Sequence, residues 1–182
     1  MDGGNDVTGE YVTFSQFMHS VLVGVSGIKR EMVRPAYQAN PPKTPDFKTD
    51  WLAYDLTNFA VENGTAYQNG ALLERHESFD CICYFYGLQA IDYAAVVRDS
   101  FELSQNRRAL RANDVGFKGA SAIVHTPEIL NNQYYERADL TLYFTRKVGR
   151  NYRILDFESA GGKILGNRAF TVLSRLFNVY RN

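Results

Sequence analysis

The residues best suited to chemistry in this chain lie in one segment, ERHESFDCIC, which runs from Glu74 to Cys83. The carboxylates of Glu74, Glu77 and Asp80 surround His76 in the sequence, and metal-dependent hydrolases and nucleases use groups of these types. Acidic residues on a strand are, however, usually solvated or paired with basic side chains. A small metal-dependent hydrolase or nuclease that acts through Glu74 to Asp80 is therefore kept as an alternative hypothesis.

The chain has two cysteines, Cys81 and Cys83, which end this segment. On a strand they lie side by side on one face, in a geometry unsuited to a mutual disulfide. With His76 they offer a pair of ligands and a distant third group, whereas a zinc site needs three or four protein ligands. We therefore expect buried thiols in a reducing compartment, with no metal and no cofactor.

A second pattern, Gly161-Gly162-Lys163, matches the end of a phosphate-binding loop. The next residue, Ile164, lacks the hydroxyl group that would bind magnesium, and Phe157 occupies the position of the first glycine. We therefore predict no nucleotide site there.

The local basic cluster consists of Arg107, Arg108 and Arg111, in the segment SQNRRALRAND. The whole chain has 20 basic and 20 acidic residues, so its formal net charge is zero, and this balance does not favour binding to nucleic acid or to an anionic membrane. We interpret the cluster as a solvated loop or short helix, or as a source of salt bridges between subunits. No run of about 18 apolar residues predicts a membrane span, and the N-terminus lacks the pattern of a signal peptide.

The elements that position these residues begin with a flexible N-terminal arm, residues 1–12, which is small and polar. Thr13 and Gln16 form a capping box that predicts a helix from Thr13, followed by apolar residues at helical spacing. This helix is predicted to end at Gly24 or Gly27.

Strands are predicted next, at Met32 to Tyr37 and at Trp51 to Val61. The proline-rich segment between them, Gln38 to Asp50, is predicted to be a loop that reaches outward. A long strand follows at Leu73 to Tyr86, in a hairpin with the strand before it, and Gly87 ends it. The outer half of this strand is polar on both faces, so we expect it to leave the domain or to meet a neighbouring subunit.

A second main helix is predicted after Gly87, with an apolar face of Leu88, Ile91, Ala94, Ala95, Val97 and Phe101. A weaker strand at Phe117 to Val124, a helical piece at Pro127 to Leu130, a long strand at Tyr134 to Val148 and a short strand at Ile154 to Glu158 follow.

Together these elements predict an α+β fold with a mostly antiparallel sheet and two main helices packed on one face, in a single domain at residues 13–162. Residues 163–182 form a C-terminal extension, an amphipathic helix or arm. The core is predicted to contain both helix faces and Trp51, Phe79, Phe85, Leu140, Leu142 and Phe144.

Six segments also carry a resemblance to a known family. In chain order they are Met32-Val33-Arg34-Pro35, the proline loop before Trp51, ERHESFDCICYFYG (Glu74 to Gly87), SQNRRAL (Ser104 to Leu110), QYYERADLTLYFTRKV (Gln133 to Val148) and DFESAGG (Asp156 to Gly162). From Phe14 to Gly162 the chain resembles the neck or tail terminator-like family of tailed bacteriophages and prophages.

The resemblance implies a structural virion protein that forms a ring, with six copies expected, at the phage neck. It implies three kinds of partner: further copies of the chain, the tail tube protein, and a head-completion or connector protein. DNA would be only passing cargo, and neither an enzymatic activity nor a cofactor is implied. The protein would be made in the host bacterial cytoplasm. A transient tail-assembly adaptor or chaperone is a further alternative.

The predicted contact residues belong to three groups. They are Arg75, His76 and Glu77 at the polar strand end, Arg107, Arg108 and Arg111 in the basic cluster, and Phe170, Leu173 and Phe177 in the C-terminal extension.

Overall fold

The computed structural model of the chain describes residues 10–62, 64, 66–69, 72–130 and 132–152. In chain order the elements are α1 (Glu10–Ser26), a 3-10 turn (Arg30–Met32), β1 (Val33–Pro35), β2 (Trp51–Val61), β3 (Tyr67–Asn69), β4 (Leu72–Tyr86), α2 (Ala90–Ser100), α3 (Ser104–Arg111), β5 (Val115–Ala120), β6 (Val124–His125), β7 (Glu128–Leu130), β8 (Gln133–Tyr135) and β9 (Arg137–Asn151). The predicted strand at Ile154 to Glu158 and the predicted extension 163–182 lie outside the described residues.

The main sheet has the strand order β1-β2-β4-β9-β5, with β3 beside β4 and β6 beside β9. β1 runs parallel to β2, and the remaining pairings are antiparallel. β4 and β9 form the centre, paired without a break from Leu72 opposite Asn151 to Tyr86 opposite Arg137. This architecture confirms the predicted α+β fold and the predicted β2–β4 hairpin pairing.

One face of the sheet is covered by helices and carries the main core. Alternate residues of β2, β4 and β9 point into it, and all are buried: Leu52, Tyr54, Leu56, Phe79, Cys81, Cys83, Phe85, Ala138, Leu140, Leu142 and Phe144. Phe79 stacks on Phe144 with ring centroids 5.2 Å apart, and Phe101 meets the same ring edge-on at 5.4 Å. The two-residue alternation of the sequence is confirmed on all three strands.

The prediction for Trp51 is wrong, because its side chain lies on the opposite face of the sheet. There its indole ring stacks on Tyr86 with centroids 4.2 Å apart, beside buried Tyr135 and half-buried Phe47. Tyr135 donates a hydrogen bond from its hydroxyl to the carbonyl of Pro45 at 2.9 Å. The proline-rich loop therefore folds back over this end of the sheet, and the prediction that it reaches outward is also wrong.

The helix α1 begins at Glu10, earlier than the capping box at Thr13 predicts. The Glu10 carboxylate pairs with Arg150, whose Nε lies 2.8 Å from Oε2. A partner so distant in the sequence stabilises the first turn in a way that no local capping signal indicates. The end of the helix agrees with the sequence, because Gly27, with φ of 69°, follows Ser26.

The helix α2 buries Ala90, Ala94 and Val97 against the sheet. The predicted face was wrong for Leu88 and Ile91, which are 67% and 48% exposed. The helix begins at Ala90 after the turn at Gly87, and this start rotates those two side chains away from the core.

Three segments between α3 and the last strand differ from their predictions. The predicted strand at Phe117 to Val124 is divided into β5 and β6, which pair with successive parts of β9. The predicted helical piece at Pro127 to Leu130 is wrong, because β7 pairs with β8 as a two-stranded hairpin. The predicted strand at Tyr134 to Val148 is interrupted at Glu136 and continues to Asn151.

The first strand is shorter than predicted. Only Val33–Pro35 pairs with β2, and the chain before it makes the 3-10 turn at Arg30–Met32. The described fold is therefore a helix-covered sheet whose other face is left open except at the Trp51 end.

Candidate inter-subunit surface

The predicted strand end, Arg75 to Glu77, lies inside the sheet. β4 is paired with β9 along this half, and β2 and β3 pair with its other edge, so the strand does not leave the domain as one alternative expected. Alternation places Arg75 and Glu77 on the helix-covered face and His76 on the open face. His76 is exposed, whereas Glu77 is only 6% exposed.

Glu77 belongs to a charged cluster of Glu10, Arg75, Glu77, Arg146 and Arg150. Its Oε2 accepts a hydrogen bond from Arg146 Nη2 at 3.0 Å, and its Oε1 lies 3.3 Å from Arg150 Nη1 and 3.2 Å from Arg75 Nε. Glu10 Oε1 lies 3.3 Å from Arg146 Nη2. Three guanidinium groups thus face two carboxylates, and the cluster ties α1 to β4 and β9.

Aromatic rings complete the environment of this cluster. The guanidinium of Arg146 lies 4.5 Å from the ring centroid of Phe14 on α1 and 5.0 Å from that of Phe59 on β2. Burial by itself would raise the pKa of Glu77. The hydrogen bond from Arg146 and the positive charges of Arg146 and Arg150 act in the opposite direction and are stronger, so the pKa of Glu77 is held below its ordinary value. Glu77 is therefore ionised, paired and structural.

On the open face the charges form smaller pairs. Lys147 Nζ lies 2.7 Å from Glu74 Oε1, and Lys118 Nζ lies 2.9 Å from Glu62 Oε1. His76 lies opposite Lys147 in the strand register and is the predicted contact residue of this segment that is free to meet another molecule.

The three arginines of the basic cluster on α3 also differ, since one is paired within the chain and two are exposed. Arg107 packs on the ring of Phe117 at 5.4 Å, donates a hydrogen bond to the carbonyl of Phe101 at 3.0 Å and pairs with Glu102. Arg108 and Arg111 are exposed, and among the described residues neither has a charged partner. The structure thus leaves two of the three arginines available at the surface. Phe170, Leu173 and Phe177 lie outside the described residues.

An exposed apolar group that was not predicted from the sequence lies at the Tyr86 end of the sheet. Ile129 on β7 and Tyr134 on β8 lie directly opposite each other and are 73% and 57% exposed. Tyr134 and the exposed Leu88 line one open cavity of about 380 Å³ with Phe47. We name Leu88, Ile129 and Tyr134 the hairpin group. The hairpin group was not predicted because a helical piece was expected at Pro127 to Leu130. The spacing of Ile129 and Tyr134 around Asn131-Asn132 nevertheless fits a hairpin.

A second exposed group lies on the helix-covered face, beside the middle and first half of β4. Tyr11 on α1 and Phe59 on β2 meet edge-on with centroids 6.0 Å apart, and Val61 on β2 is 53% exposed. We name Tyr11, Phe59 and Val61 the strand-start group. Its members come from α1 and β2, so no single segment of sequence indicated it.

A cavity of about 330 Å³ lies beside the Trp51–Tyr86 stack, between the proline loop and the open face. Arg137 borders it, held by Asp139 at 2.7 Å and by Glu128 at 2.7 Å, with its guanidinium 4.7 Å from the ring centroid of Tyr84. Burial is the main reason that the pKa of Tyr86 is raised far above its ordinary value. The cationic group is fully paired, and its role is to hold the hairpin β7–β8 on the sheet.

The residues considered for catalysis do not converge. Glu77 and His76 lie on opposite faces, and Asp80 accepts a hydrogen bond from Asn58 at 2.7 Å. Within the described ranges no three His, Cys, Asp or Glu side chains gather as metal ligands. The thiols of Cys81 and Cys83 are buried 3.8 Å apart, and the hydrogen bond between them, together with burial, raises the pKa of Cys81 well above its ordinary value.

In a comparison with known protein families, a family model described as phage neck terminator protein matches residues 12–167. The chain belongs to the phage neck terminator family. The match covers all six segments that carried the resemblance and extends beyond Gly162, and no curated protein matches the chain.

Membership in the neck terminator family gives the chain a structural role in the neck or tail of a virion. It also implies association with other head and tail proteins of the phage. No helix among the described residues is long and apolar enough to cross a membrane.

Proposed function

We propose that this neck terminator family member forms a closed ring, with six copies as the expected number, at the head-proximal end of the tail. A ring made by one repeated contact is heterologous, so each subunit needs two different complementary surfaces. The observation that carries the proposal is the presence of two separate exposed apolar groups along β4, one beside its Tyr86 end and one beside its middle and first half. The strand from Glu77 to Tyr86 spans about 30 Å, so the two groups are distinct surfaces.

In this arrangement the hairpin group of one copy meets the strand-start group of the next. Both groups contain tyrosine together with aliphatic residues, a composition typical of interface cores. The exposed side chains of His76, Arg108 and Arg111 supply polar contacts at the rim. Glu77, Arg75 and Arg107 act indirectly, because their charged groups already have partners within the chain.

The two flat sides of the ring would bind the tail tube protein and a head-completion or connector protein. DNA passes through the ring as cargo, and a formal net charge of zero supports this role because a strongly basic channel would retain DNA. The proposal includes no catalysis and no cofactor, and synthesis takes place in the host bacterial cytoplasm.

Light scattering and negative-stain microscopy of the purified protein test the proposal, alone and with its tail tube protein. Closed rings are expected for the native chain, and Ile129→Lys should give soluble monomers because the charge disrupts an exposed apolar contact without entering the core. Val124→Lys is the matched control, since Val124 is 56% exposed but lies outside both groups. A native protein that stays monomeric and is absent from virions would refute the ring.

Mass spectrometry of mature particles distinguishes the ring from a transient assembly adaptor. A ring protein remains in the particle in a fixed number of copies, whereas an adaptor or chaperone leaves before the particle is complete.

A further inference from the structure

An apolar groove runs between α1 and α3. Its cavity of about 270 Å³ has no charged lining residue, and its lining includes Phe17, Val21, Gly24 and Val25 of α1 and Ala109 and Leu110 of α3. The α1 residues are spaced three and four apart, so they form one stripe of the helix. A Cβ atom added at Gly24 would meet nothing within 4 Å, so the floor of the groove is open to close approach.

The groove continues into a second cavity of about 190 Å³, which shares Asn113 with the first. This second cavity is lined by Phe14 on α1 and by Lys147 and Gly149 near the end of β9. The described chain ends at Tyr152, three residues after Gly149. The described chain therefore ends close to one end of the groove, and 30 further residues, 153–182, follow in the sequence.

The length and pattern of that remaining chain match the groove. Residues 169–180 have apolar side chains at helical spacing, Ala169, Val172, Leu173, Leu176, Phe177 and Tyr180. As a helix they would span about 16 Å, the same length as α1 from Phe14 to Val25. The connecting residues 153–168 include three glycines and reach about 22 Å as a flexible chain, which is enough to turn back into the groove.

We propose that residues 169–180 fold as an amphipathic helix in the α1–α3 groove of their own chain. The short connection favours this occupant, because it keeps the segment at an effective concentration in the millimolar range. The docked helix covers half-buried Phe17, Val21 and Val25 and directs Arg168 and Arg175 to solvent. This inference does not rest on ring formation, since both the groove and the segment belong to one chain.

Hydrogen exchange of the full-length chain tests the proposal. Amides of residues 169–180 are expected to exchange at least about tenfold more slowly than in an unstructured chain. Gly24→Lys should abolish this protection, because the lysine side chain fills the floor of the groove. The substitution should not unfold α1, because lysine favours a helix more than glycine does. Thr13→Lys is the control, with the same added charge at an exposed position of α1 outside the groove, and it should keep the protection.

Amine cross-linking identifies whose segment is bound. Lys147 adjoins the second cavity with its amine on the open face of the sheet, and Lys163 precedes the segment, so a reagent long enough to pass around the end of β9 is expected to join Lys147 to Lys163. In an equal mixture of ¹⁴N-labelled and ¹⁵N-labelled chains this cross-link should contain a single isotope. Cross-links of mixed isotope content would assign the groove to the segment of another copy and overturn the proposal. Absent protection of residues 169–180, or protection that Gly24→Lys leaves unchanged, would also overturn it.

Discussion

Glu77 illustrates at the residue scale how a candidate functional group becomes a structural one. In the sequence it stands beside a histidine and two other carboxylates, whereas in the structure Arg146 and Arg150 neutralise it in a nearly inaccessible position. A buried ion pair of this kind contributes little compared with apolar packing, but losing one partner is costly because the other remains buried and charged. The position should therefore be sensitive to both mutation and pH.

Glu77→Gln is expected to lower the free energy of unfolding by about 2–3 kcal/mol at pH 7. The loss is moderate because Glu10 still pairs with Arg146. Urea unfolding measures it, with Glu102→Gln as the control, since Glu102 forms an exposed pair and should change the free energy by less than about 1 kcal/mol. Equal losses for both variants would contradict the structural role of the cluster.

The pH dependence follows from the lowered pKa of Glu77. A carboxylate whose pKa is lower in the folded state stabilises the protein above its unfolded pKa, and this contribution is lost as the pH falls through the folded pKa. The native chain should therefore lose stability from about pH 5 downward, and more steeply than Glu77→Gln. Parallel pH profiles of the two proteins would show that another group is responsible.

Leu142→Asp is expected to prevent soluble folding, because it places an unpaired charge among Phe79, Cys81 and Phe144 at a cost of several kcal/mol. Tyr143→Lys is its control, with a charge on the next residue, which lies on the opposite face and is 39% exposed. Expression yield and circular dichroism are the measurements. A folded Leu142→Asp protein would mean that the assignment of the two faces is wrong.

At the scale of elements, the turn between β4 and α2 depends on Gly87. Its φ of 112° is accessible mainly to glycine, and a Cβ atom there would lie 2.7 Å from Asp50 Cα and 2.9 Å from the Thr49 carbonyl. Asp50 also accepts a hydrogen bond from the Gln89 amide at 3.0 Å, so the proline loop and the start of α2 meet at this point. The glycine thus permits two backbone segments to come into contact.

Gly87→Ala is expected to lower the free energy of unfolding by about 2 kcal/mol or more, through both the strained φ and the backbone overlap. Gly24→Ala is the opposite case, because Gly24 is helical and surrounded by open space, and it should stabilise by up to about 1 kcal/mol. Thermal unfolding of the two variants provides the comparison. A neutral Gly87→Ala would show that the turn can relax.

At the scale of the whole molecule, the paired Arg107 and the exposed Arg108 and Arg111 are expected to affect different properties, the stability of the monomer and its assembly. Arg108→Glu with Arg111→Glu should leave the free energy of unfolding in urea within about 0.5 kcal/mol of the native value, because both residues are exposed. In the proposed ring the same pair should weaken association, and raised salt should weaken the native contact in the same direction. Arg107→Glu, by contrast, should destabilise the monomer, since it removes the contacts to Phe101 and Phe117.

Sedimentation velocity at two salt concentrations measures the association of the Arg108→Glu, Arg111→Glu double variant. Unchanged association would show that Arg108 and Arg111 are not part of the interface.

The sequence by itself determined which side chains share a face within the long strands. The alternation in β2, β4 and β9, the end of the first helix at Gly27 and the break at Gly87 all follow from local backbone geometry and side-chain spacing. The ordered segments also indicated the family that the comparison establishes. Each of these signals is contained within a few neighbouring residues.

Only the tertiary structure decided which groups from distant parts of the chain become partners. It paired Glu10 of α1 with Arg150, placed Trp51 on the second face, and formed a hairpin held by Arg137 from the segment around Ile129. It also brought Tyr11 of α1 against Phe59 of β2. Burial, ion pairing and exposure depend on what packs opposite a side chain, and that neighbour is set by the pairing of distant strands rather than by local sequence.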